Sequence, residues 1–209
     1  MKQLLFPFCI AWLFIGCGGS DSTAPAPAKS GSVVAPLDLS GFQLRDIPGT
    51  DLKKAIKLDE AGHVREEGTL RNGKRYGTWV VYHNDKEIPF TVSNYVDDQL
   101  SGLHMELTPI GQVVLTAGYI NNQLDGRFAR TKNGRITEEG YYKNGQFDGV
   151  YKRYYENTDI LQQEVSYKEG KLHGPSKYYN EAGDLVMEYE YKNGEKVRGD
   201  ILKPEASGK

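Results

Sequence analysis

Large apolar side chains in this chain do not recur at helical spacing; they recur at a fixed distance ahead of a glycine. Leu70, Tyr95, Tyr119, Tyr142 and Tyr167 each stand seven residues before Gly77, Gly102, Gly126, Gly149 and Gly174. A sixth copy ends on Gly199 and slips by one, with Tyr191 eight residues ahead of it. The six glycines lie 25, 24, 23, 25 and 25 residues apart, and a period of that size marks a tandem repeat of one supersecondary unit. Four residues before the glycine comes a turn residue, Gly73, Asp98, Asn122, Gly145 or Gly170, with Gly194 slipped in the sixth copy.

The unit predicted is a β-hairpin. Asn72-Gly73, Asn144-Gly145 and Asn193-Gly194 are the dipeptides that best supply the positive φ angles of a two-residue hairpin turn. The residues before these turns are rich in Tyr and Val, and aromatics such as Tyr151, Tyr154 and Tyr155 follow the glycine, as two strands require. Second turns at Ile110-Gly111, Asn133-Gly134, 157–159 and Ala182-Gly183 join one hairpin to the next. Links this short make sequential strands pair antiparallel. Six copies predict about twelve strands and, at roughly 4.8 Å per strand, a ribbon on the order of 55 Å long. The fold class expected is all-β, an elongated single-layer antiparallel sheet of tandem hairpins. The only candidate helix is a weak one at Asp51 to Leu58.

The segments Leu70-Arg-Asn-Gly-Lys-Arg-Tyr-Gly-Thr-Trp-Val-Val-Tyr82, Tyr142 to Tyr154, and Tyr167-Lys-Glu-Gly-Lys-Leu-His-Gly-Pro-Ser-Lys-Tyr-Tyr179 resemble the MORN-variant repeat family. The resemblance spans about residues 64–200. It departs in the second copy, where Asp97-Asp98 takes the Asn-Gly place and His104 and Leu107 take aromatic places, so that hairpin is expected to be distorted or to carry an insertion. Many bacterial proteins with this repeat resemble the YwqK-type antitoxin family of toxin–antitoxin systems, and an antitoxin role is what that likeness implies.

The two ends read differently from the repeats. Residues 1–16 hold one early basic residue, Lys2, and an apolar run from Leu4 to Ile15, followed by Gly16-Cys17. That is a short export signal ending in a lipoprotein box; an ordinary cleaved signal peptide is the alternative. Lipidation at Cys17 would anchor the chain to a membrane, since more than one acyl chain suffices for stable attachment. Gly18-Gly19 lacks the acidic residue that resembles an inner-membrane retention signal, which points to the outer membrane of a bacterial envelope. The other cysteine, Cys9, would leave with the signal. Residues 17–36 read as a flexible linker. Residues 37–63 form a transition and an N-terminal capping half-repeat with Glu60-Ala-Gly62 as its turn, and 201–209 form a polar tail.

Charge narrows the function. With 26 basic and 28 acidic residues the net charge is −2, which indicates no nucleic-acid partner. The cluster Arg127, Arg130, Lys132 and Arg135 is explained by a solvated strand face. His63, His83, His104 and His173 have no metal-site spacing, and no metal or other cofactor is expected. Within Glu66-Glu67 and Glu138-Glu139, neighbouring carboxylates on a strand point to opposite faces. Asp97-Asp98 is a turn. No Gly-x-Ser-x-Gly elbow or phosphate-cradling loop occurs, and the chain is not expected to be an enzyme.

What remains is the aromatic ladder: Trp79, Tyr82, Tyr95, Tyr119, Phe128, Tyr142, Tyr151, Tyr154, Tyr167, Tyr179 and Tyr191. A single-layer sheet has nothing to cover such a face, so part of it is expected to stay exposed as a binding surface. The function expected is a non-catalytic, lipid-anchored protein binding a protein partner at the envelope. Against it stands the antitoxin reading, neutralisation of a toxin by direct binding, which for an exported chain needs a toxin that arrives through the envelope. A glycan-cleaving enzyme working through Glu138 and Glu139 is the third alternative.

Overall fold

A computed structural model describes residues 37–84 and 87–202. The export signal, Cys17, the 17–36 linker and residues 203–209 lie outside the described residues. A first hairpin pairs β1 (Phe42–Asp46) with β2 (Leu52–Leu58). The segment that carried the candidate helix is therefore a strand; its apolar positions Leu52, Ala55, Ile56 and Leu58 fall at helix-like steps, but the segment is taken up by pairing on both sides. The repeat hairpins follow: β3 (Val64–Arg71) with β4 (Lys74–Tyr82), β5 (Pro89–Val96) with β6 (Gln99–Leu107), and β7 (Val113–Ile120) with β8 (Gln123–Lys132). Next, β9 (Arg135–Lys143) pairs with the short β10 (Gln146–Phe147), and β11 (Gly149–Tyr154) resumes that strand after Asp148. Two more hairpins, β12 (Leu161–Lys168) with β13 (Lys171–Tyr179) and β14 (Leu185–Lys192) with β15 (Glu195–Ile201), complete one open sheet in strict sequence order. The architecture is all-β and antiparallel, as the repeats predict.

Every repeat hairpin turns on two residues, and both take positive φ: 52° and 77° at Asn72-Gly73, 51° and 69° at Asp97-Asp98, 50° and 65° at Asn121-Asn122. These are type I′ turns, whose twist matches that of the flanking strands. The second hairpin is thus neither distorted nor extended. Asp98 holds its left-handed conformation while its carboxylate accepts bonds from the Arg75 amide and Nε, both at 2.9 Å.

Past each turn comes a bulge. Leu70 pairs with Arg75 and Gly68 with Trp79, so Thr69 alone faces residues 76–78. The same shift recurs in the next four hairpins. The periodic glycine sits in it with φ of 74°, 108°, 98°, 116° and 94° at Gly77, Gly102, Gly126, Gly149 and Gly174, a conformation that only glycine adopts cheaply. Each following turn then bonds back to the hairpin before it: the amides of Asp98, Asn122, Gly145, Gly170 and Gly194 donate to the carbonyls of Arg75, Leu100, Leu124, Phe147 and Leu172. The two recurring sequence signals are the two halves of one docking contact.

Gly199 does not belong to this series. Its φ is not positive, it pairs directly with Tyr189, and the bulge of the last hairpin has shrunk so that Glu190 pairs with Arg198. Spacings of 25, 24, 23 and 25 residues accompany stretches of six, five, four and six residues between equivalent strand positions (83–88, 108–112, 132–135 and 155–160), the third including the pair Lys132 and Arg135 that ends β8 and begins β9. The strands and turn therefore keep a constant length. The final link, 180–184, has five, which puts the sixth bulge position on Arg198. What slips in the sixth copy is the glycine, while Tyr191 and Gly194 stay in step.

Candidate functional site

Because directly paired residues of an antiparallel sheet share a face, the register sorts the eleven aromatics. One row runs Ala55, Gly68, Trp79, Ser93, His104, Ala117, Phe128, Gly140. It continues through Tyr151, Val165, Ser176, Tyr189 and Gly199. A second row nearer the turns holds Tyr95, Tyr119, Tyr142, Tyr167 and Tyr191 on the same face, opposite Leu100, Leu124, Phe147, Leu172 and Lys196. Tyr82, Tyr154 and Tyr179 lie on the other face. The eleven residues therefore do not form one surface. The reason is in the spacing: Tyr82 follows Trp79 by three residues and Tyr154 follows Tyr151 by three, and an odd step along a strand changes sides.

The first face is packed rather than open. Trp79 is 2% exposed and Tyr151 0%, although among the described residues no second sheet lies over them; every pair of strands in extensive contact is adjacent in the sheet. Large rings lie down over small neighbours. A Cβ placed on Gly68 would sit 1.9 Å from Cε3 of Trp79, and one on Gly199 would sit 2.1 Å from Cδ1 of Tyr189. Tyr142 stacks on Phe147 at 4.1 Å and Phe147 on Tyr167 at 5.2 Å, with Phe128 and Tyr151 edge-on at 5.7 and 5.3 Å, each contact contributing roughly 0.5–1.5 kcal/mol. The cluster runs from Leu115 to Tyr167, and a smaller one joins Ala55, Leu70 and Trp79 under Leu37, Leu39 and Phe42. Arg75 holds the place that Leu100, Leu124 and Leu172 hold elsewhere, lying 4.3 Å over the Tyr95 ring and paired with Asp98.

The three tyrosines of the opposite face serve as hydrogen-bond donors and acceptors. Tyr82 donates to Glu67 at 2.8 Å and Tyr154 to Glu139 at 3.0 Å, while the Tyr179 carbonyl accepts the Tyr155 hydroxyl at 2.8 Å. Burial, reinforced by the carboxylate partner, pushes the Tyr82 and Tyr154 hydroxyls up to about 12. Burial also tends to raise the Glu139 carboxyl, but bonds from Arg127 and Tyr154 outweigh it and leave that group below its ordinary value. Of the basic cluster, Arg127 pairs with Glu139, Lys132 with Glu156 and Arg135 with Asp159, and Arg130 lies 5.6 Å over the Phe128 ring. Glu138 and Glu139 do face opposite ways, toward Arg153 and toward Arg127.

The same face changes character along its length. From β9 onward one row alternates in sign, Glu139, Lys152, Glu164, Lys177, Glu188, with Lys152–Glu164 at 3.4 Å and Lys177–Glu188 at 3.9 Å. Between β4 and β8 that row reads Val80, Val92, Met105, Thr116, Ala129. On β5, β6 and β7 this face carries no charged strand residue: Phe90, Val92, Asn94 and Val96, then Gln99, Leu103, Met105 and Leu107, then Val114, Thr116, Gly118 and Ile120. Phe90, Val96, Leu103 and Ile120 are 46, 44, 46 and 55% exposed. Three strands of this length make an uncharged window on the order of 400 Å2, in the size range of the largest patches of monomeric proteins, which are often functional. Of its residues only Leu107 drew notice in the sequence, although alternation with Tyr95, His104 and Tyr119 places them opposite the packed rings.

No family model matches the chain, and no curated protein is similar to it. The MORN-variant likeness rests on the motif residues quoted above.

Proposed function

We propose that this chain is a non-catalytic repeat protein, tethered through Cys17 to the bacterial cell envelope, that binds a protein partner through the uncharged window on β5 to β7. The observation that carries the reading is the half-exposed set Phe90, Val96, Leu103 and Ile120, framed by ion-paired strands on both sides. An apolar centre with a polar rim is the anatomy of a protein-binding surface. The aromatic ladder contributes by stiffening the sheet that presents the window.

A photo-crosslinking side chain at position 103 in intact cells should give a discrete protein adduct. The same group at Glu164, in the charged half of that face, should not. No adduct from position 103, or the same pattern from both positions, overturns the reading.

A further inference from the structure

The window has uneven edges, and their charge describes what would cover it. Along the hairpin-turn margin the exposed face reads Lys74, Val96, Gln99, Ile120, Gln123, Lys143, one residue per strand from β4 to β9. Lys74 and Lys143 form no ion pair among the described residues. Of the acidic groups nearest that margin, Asp97 pairs with Arg71 and Asp98 with Arg75, while Asp125 accepts the Asn144 amide at 3.1 Å. Lysines without an ion pair therefore stand at the two ends of an uncharged strip. Five strand spacings separate those ends, about 24 Å, the length of a helix of about sixteen residues. A helix is also the layer that a half-apolar sheet face ordinarily packs against.

Resting on the binding reading above, we infer that the window receives an amphipathic helix of a partner protein. That helix would lie across β4 to β9 with an apolar middle over Val96, Leu103 and Ile120 and a carboxylate near each of Lys74 and Lys143. Two other occupants fit less well. An anionic lipid surface laid on this face would also meet Glu190 and Asp200, which form no ion pair among the described residues. A second copy turned about an axis along β6 would set Lys143 over Arg71 and Lys74 over Gln123, leaving both lysines without a carboxylate partner.

The test uses the full-length chain and two stapled sixteen-residue helices with the same leucine face, one ending in glutamates at both ends and the other in lysines. The acidic helix should bind at least tenfold tighter in fluorescence anisotropy. Lys74→Glu with Lys143→Glu should reverse that preference, and Leu103→Asp with Ile120→Asp should weaken both peptides at least tenfold with unchanged circular dichroism. Equal binding of the two helices, no binding, or a preference untouched by the charge swap overturns the inference. So does binding to phosphatidylglycerol vesicles in place of the acidic helix, or a sedimenting dimer that Leu103→Asp dissolves. If the peptides fail while position 103 still crosslinks a protein in cells, the binding reading stands and only the acidic helix is lost.

Discussion

At the scale of single residues, two kinds of glycine behave differently, and only one is visible in a sequence. Gly73 and Gly77 are fixed by their own backbone, because a positive φ leaves few alternatives; that is why the turn and bulge positions recur and could be found by spacing alone. Gly68 and Gly140 are held by a neighbour across the sheet. They occupy the same row position in two repeats, where Ser93 and Ala117 stand in the copies between. A methyl at Gly68 would collide with the Trp79 ring at 1.9 Å, whereas at Gly140 its nearest neighbours are the Phe147 and Tyr151 rings at 3.4 Å. Gly68→Ala should then cost about 1–3 kcal/mol through forced displacement of the indole. Gly140→Ala should fall within about 0.5 kcal/mol of the parent, since its methyl needs only slight movement and alanine loses less freedom on folding. Urea denaturation of the two variants decides it: equal losses would mean that the rings do not set the row. Nothing within the first repeat's own sequence announces the collision, because it depends on which way the indole lies after pairing.

At the scale of the hairpin, the unit is rigid and the link is adjustable. Strands, turn and bulge keep their length through five copies, while the connection behind them runs from four to six residues. The shortest, 132–135, turns on Asn133-Gly134 and is braced to the next link by Lys132–Glu156, Arg135–Asp159 and a bond between Asn133 and Asn157. Adding two residues between Asn133 and Gly134 should leave every strand in register and cost on the order of 1 kcal/mol, a small closure term plus exposed ion pairs of little value. One residue added between Phe128 and Ala129 should instead turn half of β8 over and make the hairpins around it melt far below the parent. Thermal melts followed by circular dichroism separate the two cases, and similar melting of both insertions would refute the rigid unit. Turn type and pairing order were legible for this reason: each is local. The β1–β2 hairpin was not, because it carries no Asn-Gly turn and no bulge glycine, and residues 37–63 hold this seventh, whole hairpin in place of the expected half-repeat. The side on which Tyr82 and Tyr154 emerge was encoded in the three-residue step from Trp79 and Tyr151. The shift of Gly199 out of the bulge series showed only once the link lengths were known.

At the scale of the whole molecule, a sheet whose strands touch mainly their neighbours has no common core to make its parts melt together, and its stability should follow local packing. The described residues are unevenly supplied. The large cluster spans β7 to β13. The N-terminal end is closed by Leu37, Leu39 and Phe42 over Ala55, Leu70 and Trp79, with Phe42 5.9 Å from the indole. The opposite end has no such cover: every residue of β15 is exposed, including Val197 and Ile201, and Arg198 stands where the bulge glycine should be. Glu195, Lys196, Arg198 and Asp200 discourage a foreign strand from pairing there, but they do not hold the hairpin to its neighbour. Amide exchange followed by mass spectrometry should therefore show β15 and then β14 losing protection first. Strands β1 and β2 should come later, and β7 to β12 last, with the window strands β5 and β6 protected through their pairing despite their exposed side chains. Uniform protection out to β15 would show that the sheet opens as one unit. The window would then owe its shape to the whole ladder, and its binding would fall with any core substitution, however distant.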